Sequence, residues 1–188
     1  MNGLFRILVL LVAATLLFTG CGKKEEPRGK AEPTSKLGPG DVANAEYDLG
    51  MEGQTVVLEN GRYESDPADR DMYMEADMIK AAFDDLDDDG HGDAAVVFGW
   101  SGGGSGYFTS LHVLINENGQ PLDLAQESLG DRTRVNGVAA NNGFIVVDMV
   151  THGPDDPSCC PTLHVKYGYR WDGLHLTQVT WDTLGVVN

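Results

Sequence analysis

The residues with the clearest chemical potential lie in one acidic stretch, FDDLDDDGHGDAAVVF, residues 83–98. Five of the six residues from Asp84 to Asp89 are aspartates. A calcium loop turns sharply at its sixth position, where glycine is favoured, and Gly90 fits that position. Positions one, three, five, seven and nine then supply oxygen ligands from Asp85, Asp87, Asp89, the carbonyl of His91, and Asp93. Because Ca²⁺ takes six to eight oxygen ligands, the spacing predicts a metal site with calcium as the cofactor.

The loop is not an EF-hand, because Val96 occupies position twelve, where an EF-hand carries a bidentate glutamate. The pattern D-x-D-x-D-G-x-x-D instead resembles the shorter calcium loops of FG-GAP-type repeats, which implies that Asp93 closes the site. FG-GAP proteins usually have many such units and this chain has one, so no propeller is implied. The alternative interpretation is a solvated acidic turn, in which the crowded aspartates repel one another without a cation.

A second stretch, FGWSGGGSGYF, contains a G-x-S-x-G pattern from Gly99 to Gly103 with Ser101 at its centre. A nucleophile elbow also needs a helix after the serine and a parallel sheet around it. Here a glycine-rich segment and another β-like run follow. We therefore predict a hairpin connection and a chain that is not an enzyme. A serine hydrolase using Ser101 is the less favoured alternative.

The N-terminus indicates where the protein resides. Residues 1–20 hold one early cation, Arg6, then an apolar run from Ile7 to Phe18 that is too short to span a bilayer comfortably. Small residues and Cys21 follow. The segment resembles a bacterial lipoprotein signal, which implies that Cys21 is acylated and anchors the protein to a membrane. An ordinary signal peptide with an incidental cysteine is the alternative.

Residues 21–45 are predicted to be the lipidated cysteine and a disordered tether, because they are rich in Lys, Glu, Pro and Gly and poor in apolar residues. A lipid beside basic residues gives a two-signal membrane attachment, and the basic residues here are Lys23, Lys24, Arg28, Lys30 and Lys36. Gly22 rather than an aspartate follows the cysteine. By the same resemblance, this implies the bacterial envelope, at the periplasmic face of the outer membrane if the cell has two membranes.

Charge restricts the classes of partner. The chain has a net charge of −16, and the part after Gly40 holds seven basic and 26 acidic residues. Such a domain repels polyanions, so we expect no nucleic acid partner and no attraction to an anionic membrane face. Divalent cations and basic partners are the ligands that this charge favours.

Cys159 and Cys160 are adjacent and are the only cysteines besides Cys21. Unpaired thiols are unusual outside the cytoplasm, so we predict a disulfide between these two neighbours. Neighbouring Cα atoms are about 3.8 Å apart, which is shorter than most disulfides span, and the ring is therefore strained. Metal ligation by the two thiolates with His152 or His164 is the alternative, although adjacent thiolates rarely fit one tetrahedral zinc.

The region from 46 to 188 reads as one domain made of short β-rich runs separated by turn signals. Residues 72–83 could form either a strand or a short helix. We predict a mainly β fold with little helix, a single antiparallel meander of about eight to ten strands, in a curved sheet, sandwich or open barrel. The predicted turns lie at Asn60-Gly61, Asn118-Gly119, Asn142-Gly143 and Asp172-Gly173.

Four segments together are similar to a set of uncharacterised bacterial envelope lipoproteins: DLDDDGHGDAAVV, GGSGYF, LGDR and VDMVTHGPDDPSCCPT. The resemblance covers roughly residues 50–182 and implies a small β-rich domain after a signal and a tether. It assigns no chemistry. We therefore expect a non-enzymatic binding or accessory lipoprotein that acts on a protein or small-molecule partner. The alternative is an inhibitor of a secreted hydrolase, in which the acidic domain plugs a basic active site.

Overall fold

The computed structural model describes residues 35–51, 53–66 and 73–187. The predicted signal peptide, Cys21 and the predicted tether up to residue 34 lie outside these ranges. Within them, no helix has the length and apolar character that crossing a membrane requires. The elements are α1 Pro39–Val42, β1 Glu46–Asp48, β2 Thr55–Val57, β3 Arg62–Glu64, β4 Glu75–Asp84, β5 Asp93–Ser101, β6 Phe108–Glu117, β7 Gln120–Asp131, β8 Arg134–Asn141, β9 Phe144–Thr151, β10 Leu163–Trp171 and β11 Leu176–Val186.

The prediction of a mainly β, antiparallel fold with little helix is confirmed. The strands form a five-stranded sheet in the order β3-β4-β5-β6-β7, a four-stranded sheet in the order β11-β10-β9-β8, and a small β1-β2 pair. All neighbouring strands in these sheets run antiparallel. The two large sheets pack face to face around one apolar cluster, so the architecture is an open sandwich.

The centre of the five-stranded sheet, strands β5 and β6, is buried on both faces, and strand β5 shows this most clearly. Successive side chains of a strand point to opposite faces. Ala95 and Val97 join the inner cluster against the four-stranded sheet, whereas Ala94, Val96 and Phe98 join a second, outer cluster. This double burial explains why the sequence from residue 94 to 98 is continuously apolar rather than alternating.

The outer face is covered by the N-terminal part of the domain, from Leu37 to Leu58, which we call the cover. Leu37, Val42, Tyr47, Val56 and Leu58 are all buried against that face. Residues 35–45, which we assigned to the tether, are therefore part of the folded domain. Pro39 begins the short helix α1 that brings Val42 onto the sheet.

Three of the four predicted turns form with both residues at positive φ, whereas Asp172-Gly173 lies in a four-residue connection from Asp172 to His175 in which only Gly173 has a positive φ. Asn118 and Gly119 have positive φ angles of 55° and 89° and connect β6 to β7, and Asn142-Gly143 connects β8 to β9 in the same way. Two consecutive positive φ angles define the type I′ hairpin turn. Asn60-Gly61 also forms a tight turn, closed by the Glu59–Arg62 bridge. Its flanking strands β2 and β3 then part and join different sheets.

The burial of Leu37 gives a test of where the folded domain begins. Leu37→Ala removes a side chain packed in the outer cluster, so we expect it to lower the free energy of unfolding by about 2–5 kcal/mol. Leu174→Ala is the control, because Leu174 is 71% exposed and should change stability by no more than about 0.5 kcal/mol. Urea unfolding followed by circular dichroism measures both. Equal stabilities of the Leu37 variant and the wild type would place Leu37 outside the fold.

Candidate functional site

The acidic loop connects β4 to β5, and its aspartates fold the loop by accepting hydrogen bonds from its own backbone. The two carboxylate oxygens of Asp85 accept from the N–H groups of Asp89 at 3.1 Å and Gly90 at 2.9 Å. Asp87 accepts from Asp89 N–H at 3.2 Å, and Asp89 accepts from His91 N–H at 2.7 Å. Gly90 has a φ of 87°, so the turn position needs a residue without a Cβ.

These bonds turn three of the five predicted ligands toward one another. Asp85, Asp87 and Asp89 each offer a carboxylate oxygen, and the three oxygens lie within 4.8 Å of one another. Such a group could hold a metal ion. The His91 imidazole lies 3.5 Å from an oxygen of Asp89.

Asp93 has a different position from the other three aspartates. It is fully buried at the start of β5, and its two oxygens accept N–H groups from Leu86 at 2.8 Å and Asn116 at 2.9 Å. Leu86 is itself buried in the inner cluster. The structure therefore shows Asp93 tying the loop to the sandwich, and it is not among the three carboxylates that converge.

The electrostatics of the loop favour a cation. Burial raises the pKa of Asp87, and the carboxylates of Asp85 and Asp89 raise it further, against a backbone hydrogen bond from Asp89 that lowers it. Burial likewise raises the pKa of Asp93, while the N–H groups of Asn116 and Leu86 lower it. In the described part of the chain, no Lys or Arg forms an ion pair with Asp85, Asp87 or Asp89. A bound cation would supply the missing positive charge.

The glycine-rich segment that holds Ser101 is a connection between strands. Ser101 is the last residue of β5 and is buried, and within the described ranges it forms no side-chain hydrogen bond with a histidine or a carboxylate. Arg132 holds the following loop, because its guanidinium donates to the carbonyl of Ser105. It also donates to the carbonyl of Ser158 at 2.6 Å, so two loops meet at Arg132.

The cysteine loop between β9 and β10 contains a disulfide between Cys159 and Cys160, whose Cα atoms are 3.7 Å apart. Asp156 fixes the base of this loop by accepting hydrogen bonds from Gly153 N–H at 2.8 Å and Thr162 N–H at 2.7 Å. These two backbone bonds lower the pKa of Asp156. His164 Nε2 donates to the carboxylate of Asp148 on β9 at 2.8 Å. A disulfide offers no thiolate, so this arrangement does not provide the alternative metal site.

The sequence analysis missed a buried chain of hydrogen bonds on the outer face. The Ser110 hydroxyl lies 2.7 Å from His112 Nε2, and His112 Nδ1 lies 2.8 Å from an oxygen of Asp123. Ser110 and His112 are two residues apart on β6 and so share a face. The Asn118-Gly119 turn brings Asp123 on β7 beside them. The Ser-x-His spacing in a strand, followed by an acid in the next hairpin strand, is the signal that could have found this relay.

The relay has the atom order of a catalytic triad but lacks its accessibility. His112 is 0% exposed and Ser110 is 8% exposed. The His112 ring packs edge-on against Tyr47 and Phe98, with centroids 5.4 and 5.3 Å away. Ser110 and His112 also lie in the middle of the sheet, because β6 pairs with β5 on one side and with β7 on the other. In this arrangement no substrate carbonyl reaches the hydroxyl, so the relay satisfies buried polar groups beneath the cover.

No protein-family model, curated protein or solved structure matches this chain. The class that the fold and the site define is a small antiparallel β-sandwich with an acidic loop that could hold a metal ion.

The relay predicts unequal effects of its members on stability. His112→Ala removes aromatic packing and takes the imidazole N–H donor from the Asp123 carboxylate, which keeps only the backbone N–H of Asp48, so the free energy of unfolding should fall by about 3 kcal/mol. Ser110→Ala removes one donor and should cost about 1 kcal/mol. Urea unfolding of both variants measures these values. Labelling of Ser110 by a fluorophosphonate probe in the folded protein would contradict the structural role and indicate a reactive nucleophile.

Proposed function

We propose that this chain is a lipid-anchored protein of the bacterial envelope whose β-sandwich is a calcium-stabilised, non-enzymatic binding domain. The observation that carries the proposal is the convergence of Asp85, Asp87 and Asp89 on one point of the β4–β5 loop. The membrane anchor rests on the lipoprotein-like signal ending at Cys21.

Calcium is the ion that suits this loop. The ligands on offer are carboxylate oxygens in an exposed, glycine-containing turn, and Ca²⁺ tolerates irregular shells of six to eight oxygens completed by water. Mg²⁺ demands a smaller and nearly ideal octahedral shell. The ion would clamp a turn that joins two core strands, because Leu86 and Asp93 anchor the same turn to the sandwich. Its contribution would therefore be to the stability of the folded state.

The surface available for binding includes β11, the edge strand of the four-stranded sheet. Its residues from Thr177 to Val186 are all exposed, and Trp181 is 70% exposed. An edge strand can accept an extended segment of another chain through its outward-facing backbone groups. The acidic character of the domain favours a segment that carries basic residues. This exposed strand supports a binding role.

Calcium should raise the melting temperature of the purified chain. At a calcium concentration ten times the dissociation constant, the gain is about 1.4 kcal/mol, which is roughly 3–6 °C for a domain of this size. Extracellular calcium sites bind at about 10⁻⁴–10⁻³ M, so the thermal scan needs millimolar calcium. Magnesium should give a smaller shift.

Substitutions within the same loop supply a matched control. Asp87→Asn and Asp89→Asn remove carboxylates of the converging group and should remove the part of the calcium shift that this loop contributes. Asp88→Asn removes the same charge from the neighbouring position, where φ is 62° and asparagine is tolerated, and should preserve the shift. Identical melting temperatures of the wild type in calcium and in chelator would leave the loop as a charged turn.

The lipid anchor is tested separately. Cys21→Ser, expressed behind a signal peptide whose removal does not depend on Cys21, should lack the lipid, so the protein should move from the detergent phase to the aqueous phase in Triton X-114 partitioning. The control is Cys159→Ser/Cys160→Ser, which keeps Cys21 and should stay in the detergent phase. Detergent partitioning of the Cys21 variant would refute the lipoprotein proposal without affecting the calcium site.

A further inference from the structure

Asp123 on β7 has a buried carboxylate, and only one of its two oxygens accepts a hydrogen bond. Its side chain is 7% exposed. One oxygen accepts from His112 Nδ1 at 2.8 Å and from the backbone N–H of Asp48 at 3.0 Å. The other oxygen is buried, and no N–H or O–H group of the described residues reaches it. A buried acceptor without a partner is costly, and more so when it is charged.

Asp123 lines a cleft of about 190 Å³ at the junction of the N-terminal cover and the five-stranded sheet. The cleft is bordered by Asp48 at the end of β1 and by Gln126 on β7. One carboxylate oxygen of Asp48 accepts from Gly50 N–H at 2.7 Å. The Gln126 amide lies close against Gly50, so it also borders this turn.

The cleft combines two carboxylates with no positive partner. Among the described residues, neither Asp48 nor Asp123 forms an ion pair with a Lys or Arg, and His112 is the only ion-pairing group of Asp123. The domain as a whole is strongly acidic, so distant charges add to the negative potential. Carboxylate and amide oxygens are the ligands of hard divalent cations.

We propose that the Asp48–Asp123–Gln126 cleft is a second divalent-cation site, separate from the acidic loop. The unpartnered oxygen of Asp123 would be its innermost ligand, with Asp48 and the Gln126 amide oxygen at its mouth. An ion there would join β1 of the cover to β7 of the sheet. The His112 ring acts as a positioning residue, because its N–H fixes one oxygen of Asp123 and leaves the other for the ion.

Isothermal titration calorimetry with calcium on the full-length chain in detergent tests the proposal at 0.15 M salt, where long-range charge is screened. The wild type should bind two ions. The variant Asp85→Asn/Asp87→Asn/Asp89→Asn, which disables the acidic loop, should bind one. Adding Asp123→Asn or Asp48→Asn to that variant should weaken the remaining site by roughly tenfold or more, because each removes a charged ligand. Adding Asp155→Asn, an exposed residue outside the cleft, should leave it unchanged.

The outcomes separate the two sites. Loss of all calcium binding in the loop variant would overturn the cleft site and leave the loop proposal intact. The cleft site would also be overturned if the loop variant bound one ion and neither Asp48→Asn nor Asp123→Asn weakened that binding. One ion in the wild type that persists in the loop variant and is lost with Asp48→Asn would support the cleft and refute the loop. Asp48→Asn guards against misfolding, since it keeps the backbone N–H that binds Asp123.

Discussion

The structure depends on a five-stranded sheet whose central strands, β5 and β6, are apolar on both faces, because both faces of these strands must be removed from water. The inner face packs on the four-stranded sheet, and the outer face needs the chain from Leu37 to Leu58. This constraint also places the acidic loop. Leu86 from the loop packs in the inner cluster, while Leu37 of the cover donates its N–H to the Gly92 carbonyl at 2.8 Å. The loop is thus held from both layers, which leaves its aspartates in one arrangement.

The central strands β5 and β6 are buried on both faces, so no bulk water satisfies their polar side chains and each needs a partner within the protein. His112 has one on either side, Ser110 and Asp123. Asn116 donates its backbone N–H to Asp93 at 2.9 Å and its side-chain amide to the Gly92 carbonyl at 3.1 Å. The resemblance of the relay to a catalytic triad therefore follows from the need to satisfy buried groups. The unpartnered oxygen of Asp123 is an exception in this sheet, and among the described residues Trp171 Nε1 on β10 is a second buried group without a partner; a buried group of this kind calls for an explanation, such as a bound ion or water.

Local chemistry accounts for what the sequence could predict. Asn-Gly pairs force type I′ turns, and the hairpins at residues 118–119 and 142–143 follow from them. The acidic loop was found by spacing alone. Tertiary packing decided the rest: residues 35–45 look like tether because they hold Pro39, two glycines and few large apolar residues, yet Leu37 and Val42 are buried. The separation of β2 from β3, and the inward turn of Asp93, depend on neighbours that are distant in sequence.

The acidic excess is largely an excess of aspartate, with 19 Asp among the 26 acidic residues after Gly40. Many accept backbone N–H groups at turns, among them Asp41, Asp48, Asp84, Asp131, Asp156 and Asp172. Asparagine accepts such bonds equally well without charge. An isolated, solvated aspartate costs little, but three carboxylates within 4.8 Å repel by roughly 1–4 kcal/mol per pair, depending on the local dielectric. Turn formation alone would therefore favour asparagine at positions 85, 87 and 89, whereas the cation that we propose would make three aspartates favourable there.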